Sequence, residues 1–195
     1  MKIINEFANK QFFGKFLSGL SLLFLLAACQ NLTPAPDPAD AAEVDHLLQL
    51  IDQRLDVAPM VAKAKWDSGG AINDPPREQL ILDTLTTQAS GLDAVFVRRF
   101  FQAQFDASKA LQLSLHAQWR QQDAGKFSDA PDLGRDVRPV LDQLTPQLIA
   151  SLRHMQPLLA APGMRAYIET RARALVRGDV DGLPRRMAVA GLFAN

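Results

Sequence analysis

The stretch LDAVFVRRFFQAQFDASKALQ, Leu92–Gln112, decides the fold. Asp93 can cap a helix start. Behind it Val97, Phe100, Phe101, Phe105, Ala107, Leu111 and Leu115 recur mostly three and four residues apart, as far as Trp119. That spacing is the apolar face of a helix turning every 3.6 residues. No glycine or proline interrupts it. No part of the chain shows period-two alternation bounded by hairpin turns, so strands are not expected. The fold class is all-α, a single-domain helical bundle of about six helices.

Toward the N-terminus the same logic gives two more helices. Asp74-Pro75-Pro76-Arg77-Glu78 is a helix start: Asp74 caps, Pro75 suits the first position, and Glu78 complements the positive end. This helix runs to about Ser90 and stops at Gly91. Before it, DSGGAIND (Asp67–Asp74) is a loop. From Ala41 to Trp66, Val44, Leu47, Leu48, Ile51, Leu55, Ala58 and Ala62 form a helical stripe, with a kink or short break expected at Pro59. Toward the C-terminus, residues 121–134 read as a loop. Helices follow at about 135–159, 163–178 and 182–193, punctuated by Pro157, Pro162 and Pro184.

The first 28 residues read differently. Lys2, Lys10 and Lys15 precede an apolar run from Phe16 to Ala28, the pattern of an export signal. The run is too short and too interrupted by Ser and Gly to span a bilayer comfortably. Leu26-Ala27-Ala28-Cys29 resembles a bacterial lipobox, and the chain's single cysteine falls at that position. By that resemblance residues 1–28 are a lipoprotein signal peptide and Cys29 is lipidated. Gln30 after it points to the outer membrane, so the expected location is periplasmic. Residues 29–40, with three prolines, form a tether, and residues 41–195 form the folded domain.

Composition narrows the function. Lys plus Arg and Asp plus Glu are both 21, so the formal net charge is zero and a dedicated nucleic-acid binder is not expected. One cysteine excludes an intramolecular disulfide and a cysteine-rich zinc site, and three scattered histidines argue against a histidine metal centre. His116 and His154 read as core or surface residues, Trp66 and Trp119 as packing residues, and Lys109 as outward-facing.

Another set of polar residues is patterned. Arg54 and Lys65 are eleven residues apart, three helical turns, and so share a face apart from the Pro59 kink. Arg77-Glu78 opens the second helix. Ser108 and Gln112 are four apart, on a face that includes Phe101 and Phe105. Converging between three helices, these groups would suit a small dianion carrying a hydroxyl and a further oxygen acceptor. Scattered surface charge is the competing reading.

The order Arg54, Lys65, Asp74, Arg77-Glu78, Ser108, Gln112 resembles the active-site pattern of the all-helical (type II) chorismate mutases. Leu92–Gln112 resembles that family's long third helix. The export signal, the proline in the first helix and the region after Trp119 resemble its secreted gamma subclass. The resemblance implies conversion of chorismate to prephenate by a pericyclic rearrangement in aromatic amino-acid biosynthesis, with no cofactor and no metal. It implies that Arg54 and Arg138 clamp carboxylates, with Arg135 a rival for the latter place. Arg77 and Ser108 assist there. Lys65 and Gln112 donate to the ether oxygen, Glu78 accepts from the ring hydroxyl, and the backbone near Asp74 helps. It also makes a homodimer the expectation, with membrane contact only through the lipid. Two other functions fit the sequence: an isochorismate pyruvate-lyase on the same scaffold, and a lipid-anchored helical interaction protein without catalysis.

Overall fold

The structure, a computed structural model, describes residues 36–179 and 181–194. The signal peptide, Cys29 and most of the tether lie outside the described residues. Among the described residues there are seven α-helices, one π-helical turn and no strand. None of these helices is long and apolar enough to cross a membrane.

The stripe from Ala41 to Trp66 is two helices, α1 (Pro38–Leu55) and α2 (Ala58–Ser68). The break falls at Asp56 and Val57, just ahead of Pro59, because proline has no N–H to offer the Leu55 carbonyl and its ring crowds the preceding turn. Helix α1 also begins earlier than expected, inside the segment read as tether. Asp37 accepts hydrogen bonds from the amides of Ala39 (2.9 Å) and Asp40 (3.0 Å), and Pro38 takes the first helical position.

Helix α3 (Pro75–Gln88) starts at its expected residue, with Asp74 accepting from the Arg77 amide at 3.3 Å. Helix α4 (Ala94–Gln121) is capped by Asp93, which accepts from the Phe96 amide at 2.7 Å. A π turn, Leu133–Val137, leads into α5 (Arg138–Met155). Helices α6 (Met164–Leu175) and α7 (Leu183–Ala190) complete the chain, each shorter than its apolar pattern suggested.

Helix α4 is the organising element. It packs against α2, α3 and α7, while α1 packs against α5 and α6. Phe100 and Phe101 of α4 are fully buried with Leu48 and Ile51 of α1, Leu148 and Leu152 of α5, and Ile168 of α6. Each such side chain stabilises the fold by about 1.5–3 kcal/mol through removal from water. At the α4–α7 contact the backbone comes very close. A Cβ on Gly191 would meet the Ala103 Cβ at 2.6 Å and the Phe100 Cα at 3.0 Å. Gln104, buried, donates to the Ala188 carbonyl at 2.9 Å.

Ion pairs fasten the C-terminal part to the outer side of α1. Arg171 forks onto Asp45 (2.7 and 2.5 Å). Arg177 forks onto Asp52 (3.1 and 3.0 Å) and also reaches Asp56.

Candidate active site

Helix α2 is held by the loop that follows α4. Trp66 Nε1 donates to the Gly125 carbonyl at 3.1 Å, and the Phe127 amide donates to the Asp67 carboxylate at 3.0 Å. Lys63 pairs with Asp129 at 2.6 Å. His116, buried, is hydrogen-bonded to the Ala62 carbonyl at 2.8 Å. Trp66 meets His116 and Trp119 edge-on, with ring centroids 5.2 and 5.6 Å apart. The tryptophans and His116 are therefore packing residues, and His154 is exposed. Gly69, in the left-handed region at φ +69°, ends α2 and turns the chain back. Lys65 Nζ then donates to the Ile72 carbonyl at 3.1 Å.

Half-buried Lys65 has no carboxylate within ion-pair distance among the described residues. Burial, more than any neighbour, lowers the pKa of its ammonium. Arg77 and Lys109 lower it further by like-charge repulsion, while Asp74 and Glu78 act in the opposite sense. Helices α2, α3 and α4 thus bring three cations and two carboxylates into one mutual field. Lys109 does not face out. Its ammonium pairs with Glu78 at 2.8 Å and with Asp106 at 3.0 Å, and the Lys109 and Glu78 side chains are only 20% and 18% exposed. Lys109 is one position after Ser108, a rotation of about 100° around the helix, which turns it toward α3 rather than to solvent.

Arg54 and Lys65 do not share a helix face; they lie on α1 and α2, on either side of the break. Arg54 is half-buried, with its guanidinium carbon 5.2 Å from the centroid of the Phe105 ring. It makes no ion pair or side-chain hydrogen bond among the described residues. Burial alone lowers its pKa to about 10, so it stays charged at neutral pH. A half-buried cation with no carboxylate partner among the described residues is able to receive an external anion, because desolvation without pairing is costly.

One turn beyond Phe105, Ser108 Oγ accepts from Gln112 Nε2 at 3.0 Å. Gln112 is 4% exposed, and its Oε1 has no partner. Turning the amide over and rotating the hydroxyl makes Ser108 the donor and frees an N–H₂ group for an external acceptor. Helix α4 therefore carries Phe105 under Arg54, the Ser108–Gln112 pair, and Lys109 beside Glu78.

The remaining residues are not drawn into this cluster by any contact. Asp74 and Arg77 are exposed at the start of α3, near Lys65. Arg138, exposed at the start of α5, makes no ion pair or side-chain hydrogen bond among the described residues. Arg135 is occupied: it pairs with Asp136 at 2.9 Å. Two surface depressions lie elsewhere, one between Phe96 and Phe193 and one beside Pro59.

The all-helical bundle carries half-buried Arg54 on α1 and Lys65 on α2, both without an ion-pair partner among the described residues, and the buried Gln112 amide on α4. Comparison with known proteins makes this specific. Residues 41–113 match the model of the family described as chorismate mutase type II. The chain is similar to a secreted chorismate mutase of Mycolicibacterium smegmatis, 34% identical over 139 residues, covering 70% of this chain and 76% of the relative. It is similar to a secreted chorismate mutase of Mycobacterium tuberculosis, 29% identical over 175 residues, covering 87% and 86%. Among solved structures, the crystal structure of chorismate mutase from Burkholderia thailandensis is 35% identical, with a TM-score of 0.71, covering 78% of this chain and 99% of that one. The chain belongs to the type II chorismate mutase family, and is an enzyme of that family.

Proposed function

We propose that this chain converts chorismate to prephenate in the cell envelope, by a cofactor-free pericyclic rearrangement belonging to aromatic amino-acid biosynthesis. The observation that carries the proposal is Arg54, a half-buried guanidinium on an aromatic face with no carboxylate partner among the described residues. The substrate is a dianion with one ring hydroxyl and one ether oxygen. In the reaction the ether carbon–oxygen bond breaks as a carbon–carbon bond forms, and no atom or proton leaves. Catalysis then consists of holding the reactive conformer and stabilising the negative charge that grows on the ether oxygen.

The side chains suit those tasks. Arg54 can grip a carboxylate with two parallel N–H donors, and Arg138 is the proposed second clamp. Arg77 and Ser108 assist on the carboxylate side. Lys65 and the Gln112 amide donate to the ether oxygen. Glu78 accepts from the ring hydroxyl, beside the α3 cap at Asp74. Removing one preorganised donor of this kind costs about 3–4 kcal/mol in the transition state.

The test is turnover by the purified protein, followed by chorismate absorbance with identification of the product, for wild type and Lys65→Ala. Prephenate from the wild type and its loss in a variant of unchanged helicity support the proposal. Release of pyruvate from isochorismate, with no turnover of chorismate, would establish the lyase instead. No turnover of either by a well-folded protein would leave the non-catalytic interaction protein.

Both relatives carry the word secreted in their names, which supports export of this chain. Anchoring through Cys29 to the outer membrane belongs to the proposal. It predicts that Cys29→Ala moves the protein from the membrane fraction to the soluble periplasm.

A further inference from the structure

Glu78 has two cations within reach on different helices, and the structure shows it bound to one of them. Its carboxylate pairs with Lys109 at 2.8 Å, while Lys65 bonds only the Ile72 carbonyl, at 3.1 Å. Lys109 is itself fixed from the other side by Asp106, at 3.0 Å, and Asp106 is fixed by Gln102 Nε2, also at 3.0 Å. Each link of this chain along α4 is four residues or fewer long, so the helix sets its geometry.

We infer that Lys109 is a positioning residue for the rearrangement: it holds Glu78 away from Lys65 and so keeps the Lys65 ammonium unneutralised for the substrate's ether oxygen. The inference rests on the proposed function and deepens it. Two consequences follow from the geometry. The first concerns Lys65. A carboxylate released from Lys109 still lies in the field of Lys65. An ion pair there would set the donor's charge against Glu78 instead of the transition state. The second concerns Glu78. One carboxylate oxygen is taken by Lys109, which directs the other to a single acceptor direction.

The experiment compares wild type, Lys109→Met, Lys109→Arg, Glu78→Gln and the Lys109→Met/Glu78→Gln double variant in the full chain. Far-UV circular dichroism and thermal unfolding are recorded for each. Lys109→Met is expected to lower kcat by about tenfold or more, the size of one misdirected charged hydrogen bond, with a smaller effect on KM. Lys109→Arg is expected to restore most of the rate. In the Glu78→Gln background Lys109→Met should change kcat less than twofold, since the carboxylate that Lys109 holds away from Lys65 is gone.

A pH profile adds a readout that a merely structural role would not move. The charged groups around Lys65 are Asp74, Arg77 and Glu78 from α3 and its cap, and Lys109 from α4. Removing Lys109 takes away a repelling charge and frees an attracting one. The alkaline limb of kcat/KM in Lys109→Met should therefore lie at higher pH than in the wild type. Equal effects of Lys109→Met with Glu78 present or replaced would overturn the inference, as would a wild-type rate in the single variant. Inactive wild-type protein would instead overturn the proposed function.

Discussion

Replacing Arg54 with methionine should stabilise the free protein and abolish its activity. Burial alone lowers the guanidinium pKa from its ordinary value to about 10. At about 1.4 kcal/mol per tenfold change in proton affinity, the folded chain is penalised by roughly 3 kcal/mol for keeping that charge. The aromatic contact with Phe105 returns about 1 kcal/mol. Methionine keeps the length of the stem and leaves out the charge, so the net gain should be about 2 kcal/mol. For a domain of this size that is a rise in Tm of about 4–8 °C. The gain is fully present below about pH 10, where Arg54 is protonated in both states. It fades as pH rises through that value, because the folded chain releases the proton before the unfolded one does. Thermal unfolding at pH 7, paired with the chorismate assay, measures both effects. Loss of activity with a Tm unchanged or lowered would refute the reasoning, since Arg54 would then be a structural group satisfied within the fold.

Three other outcomes are expected. Gln112→Glu places a carboxyl group at a buried position, where it donates only when protonated. Activity should persist at acid pH and fall as pH rises through the carboxyl pKa, and a flat kcat profile from pH 5 to 8 would contradict this. Arg138→Ala should remove most activity while Arg135→Ala, whose side chain is engaged by Asp136, retains it; the reverse ranking would exchange their roles. Gly191→Val forces branched carbon into a space where even a Cβ meets Ala103 at 2.6 Å, and should destabilise the fold by about 1–3 kcal/mol or more in urea unfolding.

The α4 segment was legible because its apolar period ran unbroken for seven turns and its cap stood at Asp93. The α3 start was legible for a similar reason, an aspartate ahead of a proline. The same pair occurs at Asp37-Pro38 and opens α1, but the surrounding prolines and scarcity of apolar residues gave it the look of a tether. The Pro59 break was foreseen in position but not in consequence: it separates Arg54 and Lys65 onto two helices, so their agreement in spacing does not place them on one face. The inward position of Lys109 has no signal in its own neighbourhood, because its partner Glu78 stands 31 positions away on α3. The clamp of Trp66 and Asp67 by residues 125–127 had no local signal. Its partners are 59 and 60 positions apart and meet only through the return of the chain. Ion pairs such as Arg177 with Asp52 are equally remote, spanning 125 positions.

The close fit of Gly191 onto α4 has a consequence for when the protein can fold. Leu192 and Phe193, the residues directly beyond that glycine, are buried. Val189 and Ile168 also reach the same core late in the chain. Phe100 and Phe101 therefore lack part of their covering until the segment around Gly191 has been made. A growing chain with that arrangement stays short of its stable state while it is being synthesised, since early helices have only each other to bury against. The burial of α4 is completed from a distance along the chain, by the segment around Gly191, and not by the neighbouring helices alone.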